Sequence, residues 1–262
     1  MTDQVAGQRF TSGDLDGLAA AFDRDGYVRV SNLFSAAEMM ELEASLVSLQ
    51  DRVREGSVDR VRYGGDYLTS AGDQAPEFVN IVKDVTSLSE PAAAAYHHPV
   101  LQELVTKCFG GQEPWEMPPE YAHRFGVSYQ DARTGTESSY NRIGWHTDAQ
   151  AHPNSDFYPM IAVTYCFDDT SPANGFLRVV PGSHKQSTNG MPLRFEKAPG
   201  EVGAYNDAGD VMLHHGDLWH SAARATEDPP DGIRRHMRGV WFAGRQPEPG
   251  EELEEFNKNA AR

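Results

Sequence analysis

From Met39 onward, Leu42, Leu46, Leu49 and Val53 recur three or four positions apart with polar residues between them. That period predicts an amphipathic helix of about four to five turns. Ser35-Ala36-Ala37-Glu38 ahead of the stripe is a capping box, and Phe34 and Met39 are spaced as a hydrophobic staple. "LDGLAAAF" reads as a shorter helix, and "GYVRV" (Gly26 to Val30) alternates as a short strand. A further helical region from about Pro91 to Phe109 is broken near Pro99 and closed by Gly110-Gly111.

After residue 120 the period shortens to two. "HRFGVSYQ", "MIAVTYCF", "GFLRVV", "DVMLHH", "LWHSA" and "MRGVWFAG" are short runs rich in β-branched and aromatic residues, separated by turn-formers such as "TSPANG", "PGS" and "EDPPDG". The pattern predicts a mainly β protein with flanking α: an antiparallel sandwich or barrel with the N-terminal helices packed outside. No internal repeat or low-complexity linker interrupts it. One domain is therefore expected over 1–262, with a mostly helical part at 1–118, the β core at 119–246 and an acidic tail at 247–262.

Composition narrows the function. The formal charge is −16, from 23 basic and 39 acidic residues. Such a chain repels nucleic-acid phosphates and anionic membrane surfaces, so neither is an expected partner. Cys108 and Cys166 form no Cys-x-x-Cys pattern, and the N-terminus has no basic and apolar signal segment. A cytoplasmic location with buried thiols is expected.

Chemistry enters with "GWHTDAQAHPN", where His146-Thr147-Asp148 is a His-x-Asp that can hold a metal. His215-Gly216-Asp217 is a second instance, and chance alone would give roughly one or two such pairs in this composition. An oxygen-activating iron site needs two His and one carboxylate on one octahedral face. His214, His215 and His220 are candidates for the distal ligand. If Val211–His215 and Leu218–Ala222 are successive strands, Gly216-Asp217 falls at their joint and His220 is free to point inward. "GIRRHMRGVWF" adds Arg234, Arg235 and Arg238. Alternation sets Arg235 with Met237, Gly239 and Trp241 and leaves Arg234, His236 and Arg238 on the other face, which predicts one arginine inside and two outside.

Taken together and in order, these segments resemble the phytanoyl-CoA dioxygenase family of Fe(II)- and 2-oxoglutarate-dependent oxygenases. "FDRDGYVRVSNLFSAAEMMEL", "HTD", "DDTSPANGFLRVVPGSH", "GDVMLHHGDLWHSA" and "RRHMRGVWF" carry the likeness across most of the chain. The resemblance implies a double-stranded β-helix (jelly-roll, cupin-like) barrel. It implies iron on His146, Asp148 and His220, and the distal carboxylate of 2-oxoglutarate on Arg235, with Arg234 the alternative because "EDPPDG" lengthens the spacing from His220. Relatives often place Ser two positions after the distal His. Here that residue is Ala222, so Thr164 or Tyr129 is expected to supply the missing cosubstrate contact. Halogenating relatives lack the carboxylate, so Asp148 implies hydroxylation or a related oxidation using O2.

The segments "RVRYGGDYLTS" and "QAHPNSDFYP" are candidate lids, with Arg62, Tyr63, Tyr67, His152 and Phe157 as candidate substrate contacts. The expected substrate is a small molecule of specialised metabolism, since no basic patch suits the phosphates of coenzyme A. The rival readings are a non-oxidative cupin-like metal enzyme, an acyl-CoA hydroxylase of the same family, and a binding protein that keeps the barrel. Oligomeric state is not readable from these patterns.

Overall fold

The computed structural model describes residues 9–11, 13–68, 78–119, 126–133, 142–148, 160–228, 230–248 and 251. In chain order the elements are β1 (Arg9–Thr11), α1 (Leu15–Asp25), β2 (Tyr27–Ser31), α2 (Ala36–Glu55), α3 (Arg60–Tyr63), β3 (Gly64–Leu68), β4 (Phe78–Val82), α4 (Glu90–Tyr96) and α5 (Pro99–Cys108). They continue with β5 (Ser128–Arg133), β6 (Ile143–His146), β7 (Met160–Cys166), β8 (Leu177–Val179), β9 (Val202–Ala204), β10 (Val211–His215), β11 (His220–Ala222) and β12 (Ile233–Phe242). Short 3-10 turns separate some of them.

The α2 helix starts where the capping box predicts. The Ser35 hydroxyl accepts from the Glu38 backbone N–H, and the Glu38 carboxylate accepts from that of Ser35. It ends at Gly56, whose left-handed φ of 82° closes the last turn without a Cβ clash. The helical region expected over 91–109 with a break near Pro99 is two helices, α4 and α5, because Pro99 opens the second.

A large sheet runs β1-β2-β10-β7-β12-β5-β4-β3 and a small one β6-β11-β8-β9. All neighbours are antiparallel except β1 with β2. The N-terminal part is thus less purely helical than its pattern implies, since β1 to β4 join the large sheet.

Strand alternation gives the large sheet two different faces. Val28, Val30, Ile161, Val163, Tyr165, Val211, Leu213, Met237 and Trp241 point to the helices and share one core with Leu18, Phe22, Leu42, Leu46, Leu49, Tyr96 and Leu101. Full burial of each large apolar side chain there contributes about 1.5–3 kcal/mol. Tyr96 stacks on Trp241 with centroids 4.6 Å apart, and its hydroxyl donates to the Val240 carbonyl at 2.7 Å. Gly239 makes that approach possible, because a Cβ there would lie 2.4 Å from the Tyr96 ring.

The opposite face looks at the small sheet. Tyr27 and Met212 pack against Val179, Ala204 and Leu218, joining the two sheets as a jelly roll. Among the described residues, no helix is long and apolar enough to cross a membrane.

Candidate metal centre

His146 ends β6 and His220 begins β11, and the two are direct cross-strand partners. Their rings lie 4.2 Å apart between centroids. Asp148 follows two residues after His146, and its backbone N–H donates to the Gly216 carbonyl at 2.8 Å, fastening it to the β10–β11 joint. One ligand atom from each of His146, Asp148 and His220 lies within 4.8 Å of the other two, and no other such cluster occurs among the described residues.

Hydrogen bonds orient the set. His146 Nδ1 lies 2.8 Å from the Gly144 carbonyl and His220 Nδ1 2.8 Å from that of Leu218. A carbonyl only accepts, so each Nδ1 carries the proton and each Nε2 keeps a lone pair for the cluster. Burial pushes both imidazoles below their usual titration range, which keeps them neutral. Burial acts the other way on Asp148, but the charge of Arg238, with His220 and His214, holds its carboxyl well below the usual range. Two neutral imidazoles and one carboxylate are the donors of a facial iron triad, and the residues present fit a divalent iron ion.

Two further residues hold the carboxylate. His214 Nε2 donates to Asp148 Oδ2 at 3.0 Å, and Arg238 Nη2 donates to Oδ1 at 2.8 Å. Sequence reasoning weighed His214 only as a candidate ligand and gave Arg238 no role. The signal that finds them is parity, because His214 and Arg238 share the inward face with Thr164. The rival His215 faces the helices: its Nδ1 accepts from the Asp217 backbone N–H at 3.0 Å, and its ring approaches Phe22 and His184.

Arg235 requires a correction. Its guanidinium forks onto Asp168, with Nη2 to Oδ1 at 2.6 Å and Nε to Oδ2 at 3.0 Å, and also meets Glu43 of α2. The face it shares with Met237 and Trp241 is the helix-packed face, so the arginine expected inside is outside. Arg234 takes the inward place. It is buried, no carboxylate among the described residues pairs with it, and burial brings its guanidinium down to about 10. One of its nitrogens lies 3.0 Å from where a Cβ on Gly175 would stand.

Tyr129 is corrected for the same reason: it is fully buried in the helix-side core, with its ring near Phe167. Thr164 does face inward, directly opposite Arg238 in the ladder. Tyr63 packs against the helix-side core and Arg62 lies over its ring at 5.0 Å, so the structure does not bring either to the triad. The Tyr67 side chain, His152 and Phe157 lie outside the described residues.

Two facing sheets with an inward His–Asp–His cluster define the class as a jelly-roll protein with a candidate non-haem metal centre. The model of the family described as phytanoyl-CoA dioxygenase (PhyH) matches residues 22–230. The chain belongs to that family. An ectoine dioxygenase of Stutzerimonas stutzeri is 27% identical over 171 residues, which is 64% of this chain and 50% of the relative. The iron/alpha-ketoglutarate-dependent dioxygenase ausU of Aspergillus calidoustus is 33% identical over 97 residues, 35% of this chain and 31% of the relative. The chain thus spans half the length, or less, of these curated relatives. Among solved structures, AviO1 from Streptomyces viridochromogenes superposes with a TM-score of 0.64 at 19% identity, covering 90% of this chain and 97% of its own. The epimerase SnoN, solved with Fe3+, alpha-ketoglutarate and nogalamycin RO, gives 0.64 at 20% identity, covering 88% and 84%. These likenesses show the same fold over about nine-tenths of this chain.

Proposed function

We propose that this protein is an Fe(II)- and 2-oxoglutarate-dependent oxygenase that hydroxylates an unactivated C–H bond of a small metabolite. The observation that carries this reading is the inward pairing of a His146–Asp148–His220 donor set with Arg234, a buried guanidinium that no carboxylate among the described residues meets. His146, Asp148 and His220 would hold iron. Bound iron with 2-oxoglutarate and O2 would supply the oxidising power for C–H cleavage, with succinate and CO2 released.

The chain's own residues do the rest. Arg234 offers a fork of donors in a desolvated place, which suits the distal carboxylate of 2-oxoglutarate, and it replaces Arg235 in that role. Thr164 presents its hydroxyl on the same inward face and suits the contact that Ala222 cannot make. His214 and Arg238 each bond one oxygen of the Asp148 carboxylate, which opposes its rotation. Asp148 would take the ligand place that halogenating relatives leave to a halide, which supports hydroxylation over halogenation. The relatives named for ectoine and the neighbour solved with a nogalamycin compound support a small organic substrate.

The test is succinate release by the pure protein. It is expected only with both Fe(II) and 2-oxoglutarate present, and it is expected to vanish in His146→Ala and Asp148→Ala. Turnover that persists in either variant, or with Zn(II) alone, would overturn the reading.

A further inference from the structure

We propose that Arg238 receives a carboxylate on the organic substrate, so that the molecule oxidised at this centre is a carboxylic acid bound as its anion. The inference rests on the reading of the centre given above and adds the substrate's chemistry to it.

The first argument is placement. Arg238 stands on β12 between Ser128 of β5 and Thr164 of β7, both its direct ladder partners, so its side chain leaves the strand on the same inward face as theirs. The same guanidinium touches Asp148, a member of the donor cluster. A group held by Arg238 therefore lies beside the place where chemistry would occur, while Arg234 is four residues away along the strand, about 13 Å at the usual rise.

The second argument is unused donors. Among the described residues, Arg238 makes one ion pair, through Nη2 to Asp148 Oδ1, and its side chain keeps 27% of its exposure. A guanidinium carries five N–H donors in a planar fork, so one edge remains available for a carboxylate, which that fork matches in two parallel hydrogen bonds.

The third argument is charge. Asp148 is the carboxylate that meets Arg238, and the groups acting on Asp148 are Arg238, His220 and His214. A divalent ion on Asp148 draws on the same negative charge. The dianionic cosubstrate offsets that ion, and Arg234 with Arg238 exceeds Asp148 by one positive charge. A partly desolvated site of this kind attracts a monoanion more than a neutral molecule of equal shape. Thus Arg234 suits the cosubstrate and Arg238 the substrate, on one face of one strand.

The experiment uses the full chain with 2-oxoglutarate and either Co(II) or Zn(II), and follows fluorine-19 linewidths of 4-fluorophenylacetate, 4-fluorobenzoate and a fluorinated alkanoate, each against its primary amide. Co(II) relaxes the fluorine of a ligand bound beside it and Zn(II) does not, so the difference locates the ligand at the centre. The expected result is Co(II)-dependent binding of at least one carboxylate, at least tenfold tighter than its amide. Arg238→Gln is expected to abolish that preference and Arg238→Lys to retain part of it, because it keeps the charge and loses the fork. Carboxylates that bind no better than their amides would overturn the proposal, as would an unchanged preference in Arg238→Gln. An affinity for 2-oxoglutarate that falls in that variant as far as the preference does would place Arg238 on the cosubstrate and overturn it equally. Wild-type protein that takes up neither Co(II) nor 2-oxoglutarate would instead refute the reading of the centre itself.

Discussion

His214 Nε2 donates to Asp148 Oδ2 at 3.0 Å, and both side chains are almost wholly buried. That bond occupies the second carboxylate oxygen, so Asp148 faces the donor cluster through Oδ1, which lies 3.7 Å from His220 Nε2. Replacing His214 by Phe would leave Oδ2 buried and unpaired, at a cost of about 1–3 kcal/mol. The expected outcome is metal affinity lower by roughly 10–100-fold, as for other residues that orient a ligand. Titration with Co(II), followed in the visible spectrum, checks it; an affinity equal to wild type would remove His214 from this role.

Arg234 and Arg235 are adjacent and are expected to behave oppositely. Arg234→Gln should raise the 2-oxoglutarate concentration needed for half-saturation by roughly tenfold or more, since charge-assisted hydrogen bonds contribute about 1.5–3 kcal/mol. Arg235→Gln should leave that concentration unchanged and lower stability by up to about 1 kcal/mol, the range for a partly exposed pair, because it severs Asp168 and Glu43. Calorimetric titration and urea unfolding separate the two.

The reversal of these two arginines shows where sequence legibility ended. The alternation in β12 was readable residue by residue, and so were the α2 capping box, the Pro99 break and the joint at Gly216-Asp217. What the pattern could not reveal was which face of β12 looks into the barrel. Both faces are covered, one by helices and one by the small sheet, and the apolar set of Met237 and Trp241 belongs to the helices. Tyr129 was misplaced by the same ambiguity, and Arg238 was overlooked because its partner Asp148 is distant in sequence. His146, Asp148 and His220 stood out because "HTD" and "LWHSA" occur in order with the other segments, a signal that does not depend on knowing the face.

Gly239→Ala tests the helix-side packing alone. The added Cβ would lie 2.4 Å from the Tyr96 ring, which is held by its stack on Trp241 and its bond to Val240. The ring has little room to yield, so a loss of about 1–3 kcal/mol is expected, seen as a lower unfolding midpoint. A midpoint equal to wild type would show that Tyr96 moves freely.

Acid stability should depend on His236. Burial, reinforced by Arg234 and Arg238, brings this imidazole down to about 3, so it stays neutral in the fold. An unfolded histidine takes up a proton near pH 6.5, so the unfolded state binds more protons between about pH 6.5 and 3. Stability therefore falls as pH drops through that window, and it is fully present above it. His236→Gln should flatten the decline by about one proton, measured as the slope of unfolding free energy against pH; an unaltered slope would assign the acid sensitivity to other groups.

The two-residue period of β12 gives this protein a way to change one trait at a time. Positions 235, 237, 239 and 241 hold the helices, while 234, 236 and 238 look into the barrel. A substitution at 236 or 238 alters the barrel side and leaves the helix-packed side of the strand as it was, so descendants of this chain can vary what lines the barrel while inheriting the same architecture.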